Sequence, residues 1–125
     1  MIFNALIPEF EVSNIDVSRR FYIDILEFSL EYERPEDKFV FLSKEGSQLM
    51  LEQTTDNTLE YPFGRGFNLS FTVKDVEYLY SKLLNEQYPI YKSLETRTFR
   101  VGNKVTTPKE FAIKDPDGYL LRFQN

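Results

Sequence analysis

Between Leu6 and Val12 the chain alternates, with Phe10 and Val12 on one face and Ile7, Glu9 and Glu11 on the other, which is the period of a strand. Asn14 then offers a capping carboxamide. Val17, Phe21 and Ile25 recur every four residues while Arg19, Arg20 and Asp24 face away, predicting a helix over about 15–26 with one buried stripe. Phe28 to Arg34 alternates again, Pro35-Glu36-Asp37 turns the chain, Phe39 to Leu42 returns, and Gly46 punctuates a hairpin into Gln48–Gln53.

After a loop at 54–66 rich in Thr, Asp, Asn and Gly, the same order recurs. Leu69, Phe71 and Val73 alternate with Asn68, Ser70 and Thr72, and Asp75 caps a helix whose stripe is Val76, Leu79 and Leu83. An extended piece near Ile90 and strands at about 95–101, 108–114 and 119–124 complete the second half. Its last two strands turn at Asp115-Pro116-Asp117-Gly118, where proline presets φ and glycine takes the left-handed position. The strand, cap and helix passages that begin at Val12 and Val73 lie 61 positions apart. The order βαβββ, twice, predicts an α+β fold in which a curved, mostly antiparallel sheet surrounds a groove and the helices lie outside. One domain over 1–125 is expected: repeat one at about 1–53, a linker at about 54–66 and repeat two at about 67–125, since neither half alone carries enough apolar surface.

Composition narrows the chemistry. There is no cysteine, which excludes disulfides and thiolate metal sites, and no histidine, which excludes a two-histidine, one-carboxylate iron site. A net charge of −5 and a pI near 4.8 disfavour nucleic acid and anionic lipid, and favour solubility or a cationic ligand. The first residues lack a basic n-region and no apolar run approaches a membrane span, so a soluble cytoplasmic protein is expected. No nucleophile constellation is present, and Gly64-Arg65-Gly66 lacks the spacing of a phosphate loop. Twelve Phe and eight Tyr exceed what one small core needs, and a ligand groove or an interface is the natural outlet.

The doubled pattern resembles the vicinal-oxygen-chelate superfamily of glyoxalase I, extradiol dioxygenases, fosfomycin-modifying enzymes and bleomycin-binding resistance proteins. The likeness covers nearly the whole chain and is carried by Ile7-Pro-Glu-Phe-Glu-Val-Ser-Asn14, Phe21-Tyr-Ile-Asp-Ile-Leu-Glu-Phe28 and the Asp115-Pro-Asp-Gly118 turn. Tyr32-Glu-Arg-Pro35, Leu49-Met-Leu-Glu52, Pro62-Phe-Gly-Arg-Gly66 and Tyr119-Leu-Leu-Arg-Phe123 are closest to the bleomycin resistance branch. The resemblance implies a homodimer, with grooves between subunits and an N-terminal strand that is often exchanged, that sequesters a bleomycin-class glycopeptide without chemical change. It implies no catalytic residue and no cofactor. The alternatives are a metal-assisted lyase or dioxygenase of the same superfamily, or a binder of another flat aromatic molecule.

Superfamily enzymes hold a divalent metal on four inward strand positions, which the resemblance carries onto Ile7, Glu52, Asn68 and Arg122. Only Glu52 is a good ligand, so no metal site is expected. Glu52 and Arg122 either pair as an ion bridge in place of the metal or are solvated independently. The expected ligand-binding residues are Phe39, Phe41, Met50, Glu52, Asn68, Ser70, Phe99 and Arg122, suited to a ligand aromatic at one end and cationic elsewhere. Phe39 and Phe41 equally fit core packing beneath a helix.

Overall fold

The computed structural model describes residues 2–125, which form two compact units divided between Phe63 and Gly64. In the first, β1 (Glu9–Val12), β2 (Ser29–Arg34), β3 (Phe39–Lys44) and β4 (Ser47–Gln53) form one sheet in the order β1-β4-β3-β2. β1 runs parallel to β4 and the other neighbours are antiparallel. A parallel pair needs a crossover, and the helical segment after β1 supplies it.

Asn14 caps that segment as its spacing predicts, its Oδ1 accepting from the backbone N–H of Asp16 and Val17 at 3.0 and 3.2 Å. The buried stripe differs from the expected one. Phe21 is buried as expected, but Val17 is 39% exposed, and Ile15, Ser18, Tyr22 and Leu26 join Phe21 in its place. α1 (Ile15–Arg20) passes into a π-helical turn at Phe21–Ile25, in which Leu26 N–H bonds to Phe21 O at 3.0 Å. The buried face still follows helical spacing, with Ile15, Ser18 and Tyr22 at i, i+3 and i+7, and the polar Ser18 in its middle hides it from an apolar pattern. Tyr22 packs edge-on against Phe10 and Phe28, and Phe10, Val12, Val40, Leu42, Leu49 and Leu51 complete the core on the helix side.

The second unit repeats the plan. β5 (Asn68–Thr72), β6 (Lys92–Thr96), β9 (Lys109–Lys114) and β10 (Leu120–Gln124) take the order β5-β10-β9-β6, with β5 parallel to β10. α2 (Val76–Asn85), capped by Asp75 Oδ1 on Tyr78 N–H at 3.0 Å, buries Val76, Leu79 and Leu83 as the spacing predicts. Phe71, Phe111 and Phe123 stack beneath it, and Tyr80 reaches Phe111 from the helix. The strand expected at 95–101 is broken in two. Its first part ends β6, while β7 (Phe99–Val101) leaves to pair with β8 (Lys104–Thr106) as a separate exposed hairpin. Arg97 N–H bonds to Pro108 O, and proline has no N–H with which to extend the β6–β9 ladder in return. Gly64, at φ +70°, lies so close to the Tyr119 ring that a Cβ would sit 2.6 Å from it, which explains a glycine in Pro62-Phe-Gly-Arg-Gly66. Among the described residues no helix is long and apolar enough to cross a membrane.

Ile15, Ser18 and Tyr22 precede Val76, Leu79 and Leu83 by the same 61 positions that separate the two caps. Ser18 thus occupies a place that the second unit gives to leucine, and its buried Oγ has no hydrogen-bond partner among the described residues. Removing an unsatisfied hydroxyl recovers its desolvation cost. Ser18→Ala should therefore raise the unfolding free energy by about 1 kcal/mol, whereas Leu79→Ala should lower it by about 2–4 kcal/mol; urea denaturation of both variants measures the difference.

Candidate functional site

Each sheet has one face under its helix and one that no helix covers. On the open face of the first unit, strand register aligns two rows: Glu9, Met50, Phe41 and Tyr32, and next to them Glu11, Glu52, Phe39 and Arg34. Four of the expected site residues, Phe39, Phe41, Met50 and Glu52, are therefore brought together. Met50 is half-buried and Glu52 exposed, but Phe39 and Phe41 are buried. Tyr32 stacks on Phe41 with ring centroids 5.2 Å apart, Phe3 meets Phe41 edge-on at 5.4 Å, and the Arg34 guanidinium lies 4.0 Å above the Phe39 ring. Phe3 belongs to the N-terminal segment, which Asn4 and Gln48 hold to the β3–β4 hairpin through Asn4 N–H to Gln48 Oε1 at 2.7 Å and Asn4 Nδ2 to Gly46 O at 2.9 Å. Asp37, hydrogen-bonded to Arg34 Nε at 3.0 Å, raises the arginine pKa above its ordinary value.

The open face of the second unit carries a polar network centred on Arg122 and Glu110. One row across its strands reads Ser70, Arg122, Ala112 and Lys92, and the next Thr72, Gln124, Glu110 and Glu95. Arg122 directs Nε to Asn68 Oδ1 at 3.0 Å and Nη1 to Glu110 Oε1 at 3.1 Å, and Arg97 directs Nη1 to Glu110 Oε2 at 2.8 Å. Ser70 Oγ donates to Gln124 Oε1 at 3.0 Å. Asn68, Ser70 and Arg122 are thus neighbours on one face. Phe99 lies at the start of the hairpin, half-buried, its ring 5.1 Å from the Arg97 guanidinium, which links it to the same network.

Sequence reasoning missed Glu110 and Arg97. Glu110 is the one charge in the core of a strand whose neighbours Phe111, Ala112 and Ile113 are buried, so its isolation was visible, but its partners depend on register with β10. Tyr32 and Arg34, which cover the two phenylalanines, were also absent from the expected set. A separate cavity of about 480 Å³ opens on the first unit where Asp16 and Arg19 of α1, Glu33, Lys38 and Gln53 converge; Phe39 is the one expected site residue in its lining. Arg19 and Glu33 pair there at 2.8 Å.

The four positions carried over for a metal do not fit one. Ile7 has no donor atom, Arg122 is a cation, and Asn68 Oδ1 already accepts from Arg122. Among the described residues no group of three or more metal-ligating side chains forms elsewhere.

With its side chain 7% exposed, Glu110 is a buried carboxylate gripped by two guanidiniums. Glu110→Ala leaves two cations facing each other without their counter-charge and should cost about 2–3 kcal/mol in chemical denaturation. Glu77→Ala, which breaks the exposed pair with Lys109, should cost under about 1 kcal/mol.

The family profile described as Glyoxalase/Bleomycin resistance protein/Dioxygenase superfamily matches residues 9–123. A superfamily member of that description from Vibrio splendidus 12B01 is 39% identical over 94% of this chain and 95% of its own, with a TM-score of 0.45. TioX from Micromonospora sp. ML1 is 16% identical over 98% of both chains with a TM-score of 0.75. Lactoylglutathione lyase from Agrobacterium tumefaciens is 17% identical over 96% of this chain and 92% of its own, with a TM-score of 0.64. No curated protein matches the chain significantly.

Proposed function

We propose that this chain, which belongs to the glyoxalase/bleomycin resistance protein/dioxygenase superfamily, is a metal-independent cytoplasmic binder that sequesters a bleomycin-class glycopeptide without altering it. The observation that carries this reading is the engagement of Arg122 with Asn68 and Glu110. At two of the four positions where superfamily enzymes hold a metal, a guanidinium and its hydrogen-bond partner satisfy each other, which leaves no Lewis acid to polarise a substrate there. The superfamily includes both enzymes and binders, and this donor set supports the second class.

The open face of the first unit supports a ligand that is flat and cationic. Glu9, Glu11 and Glu52 provide carboxylates beside the Met50 thioether. The Phe39 ring already takes a cation on its face, that of Arg34, so the electrostatics of cation recognition are in place. Because Phe39 and Phe41 are covered, a flat ring system would stack on Tyr32, their outermost partner, and displace Arg34 from Phe39. The working form is a homodimer, supported by the exposed apolar side chains of Ile2, Phe3 and Leu6, which a second subunit would cover.

Isothermal titration with metal-free and copper-loaded bleomycin should give sub-micromolar binding of one ligand per subunit, with unaltered drug recovered afterwards. Glu52→Gln should weaken that binding about 5–10-fold by removing one charge-assisted contact. No heat with either form, or chemically altered drug, contradicts the proposal.

A further inference from the structure

We infer that the open face of the second unit is a binding site for an oxyanion, the carboxylate or phosphate group of a small molecule, held by the guanidiniums of Arg122 and Arg97. The inference rests on the proposal above only in taking Asn68 and Arg122 as ligand-facing positions; it does not depend on which drug the first unit takes.

A guanidinium has five N–H donors in a rigid fork. Arg122 commits one to Asn68 and one to Glu110, Arg97 commits one to Glu110, and among the described residues neither guanidinium makes a further hydrogen bond. The remaining donors belong to side chains that are 34% and 36% exposed, so they open to solvent rather than to the core. With Lys92 beside Arg122 and Glu95 opposite Glu110, the face carries three cations and two carboxylates, a net charge of +1. Glu110, buried and bonded through both oxygens, fixes the two forks before any ligand arrives, so binding costs little further side-chain order. An arginine fork complements a carboxylate or phosphate edge bidentately.

The surroundings add to this. Ser70 and Lys92 share the cross-strand row of Arg122, with only the short Ala112 between Arg122 and Lys92, and Lys92 is exposed. The charge of the chain is also divided unevenly. Residues 1–63 have thirteen acidic and five basic side chains, net −8, whereas residues 64–125 have seven acidic and ten basic, net +3, which together give the −5 of the whole. An anion repelled by the first unit is attracted by the second.

The test is titration of the full chain at low ionic strength with inorganic phosphate and, separately, with benzoate, followed by calorimetry and by amide chemical shifts. Saturable binding of at least one probe at one site per chain is expected, with the largest shifts at Ser70, Arg97, Ala112 and Arg122. Phosphate alone would assign the site to tetrahedral anions, benzoate alone to carboxylates, and either supports it. Arg122→Gln should weaken binding about tenfold. Lys92→Gln, at an exposed position where folding is not at stake, should weaken it about threefold. Arg100→Gln removes the same charge from the exposed hairpin and should leave the affinity unchanged. Absence of saturable binding by either probe, or an equal loss in Arg100→Gln, overturns the inference. Because no drug is present, that result is distinct from failure of the bleomycin titration.

Discussion

Each unit is closed by the parallel pairing of its first strand to its last, β1 to β4 and β5 to β10, and the rest of the structure depends on that closure. Parallel neighbours cannot be joined by a tight turn, so a helix must cross the sheet between them. That helix buries one face and leaves the other to polar and charged side chains. The capping residues Asn14 and Asp75 lie at equivalent places, just after the strand, because in both units the chain must leave the sheet edge and start a helix within two or three residues.

The open faces are where the two units differ. The first has three glutamates on the two strands of its parallel pair, with aromatic rings next to them; the second has arginines tied by one buried glutamate. Arginine at position 122 has structural consequences. A guanidinium on a strand otherwise lined by apolar neighbours needs acceptors, and Asn68 and Glu110 supply them from the strands on either side. Glu110, once buried, needs a donor for each carboxylate oxygen, and Arg97 supplies the second from the connection between β6 and β7. The break in that strand and the exposed hairpin beyond it accompany this contact.

Much of this was legible in residue order. The stripe Val76, Leu79, Leu83, the alternation of Leu69, Phe71 and Val73, both caps and the Asp115–Gly118 turn all follow from local periodicity and local hydrogen bonding, which a linear sequence records. The repeat itself contained more than periodicity did: shifting the second helix stripe back by 61 positions gives Ile15, Ser18 and Tyr22, the face that is buried. Periodicity alone chose Val17 and Ile25 because the buried face carries the polar Ser18 in its middle, which an apolar pattern passes over. The Arg97–Glu110–Arg122 cluster was not legible, since its three members come from separate segments and meet only through the registers of β9 with β6 and β10. Arg122 was expected to face either Glu52 or solvent; the carboxylate it engages within its own unit is Glu110.

Of the four positions that the resemblance assigns to a metal, Asn68 and Arg122 bond to each other, Ile7 offers no donor and Glu52 stands alone, a set that does not hold a divalent ion. Elemental analysis of the purified chain, incubated with excess zinc, nickel and manganese and then dialysed, tests it most directly. The account predicts no divalent metal retained in proportion to protein; one equivalent per chain would contradict it.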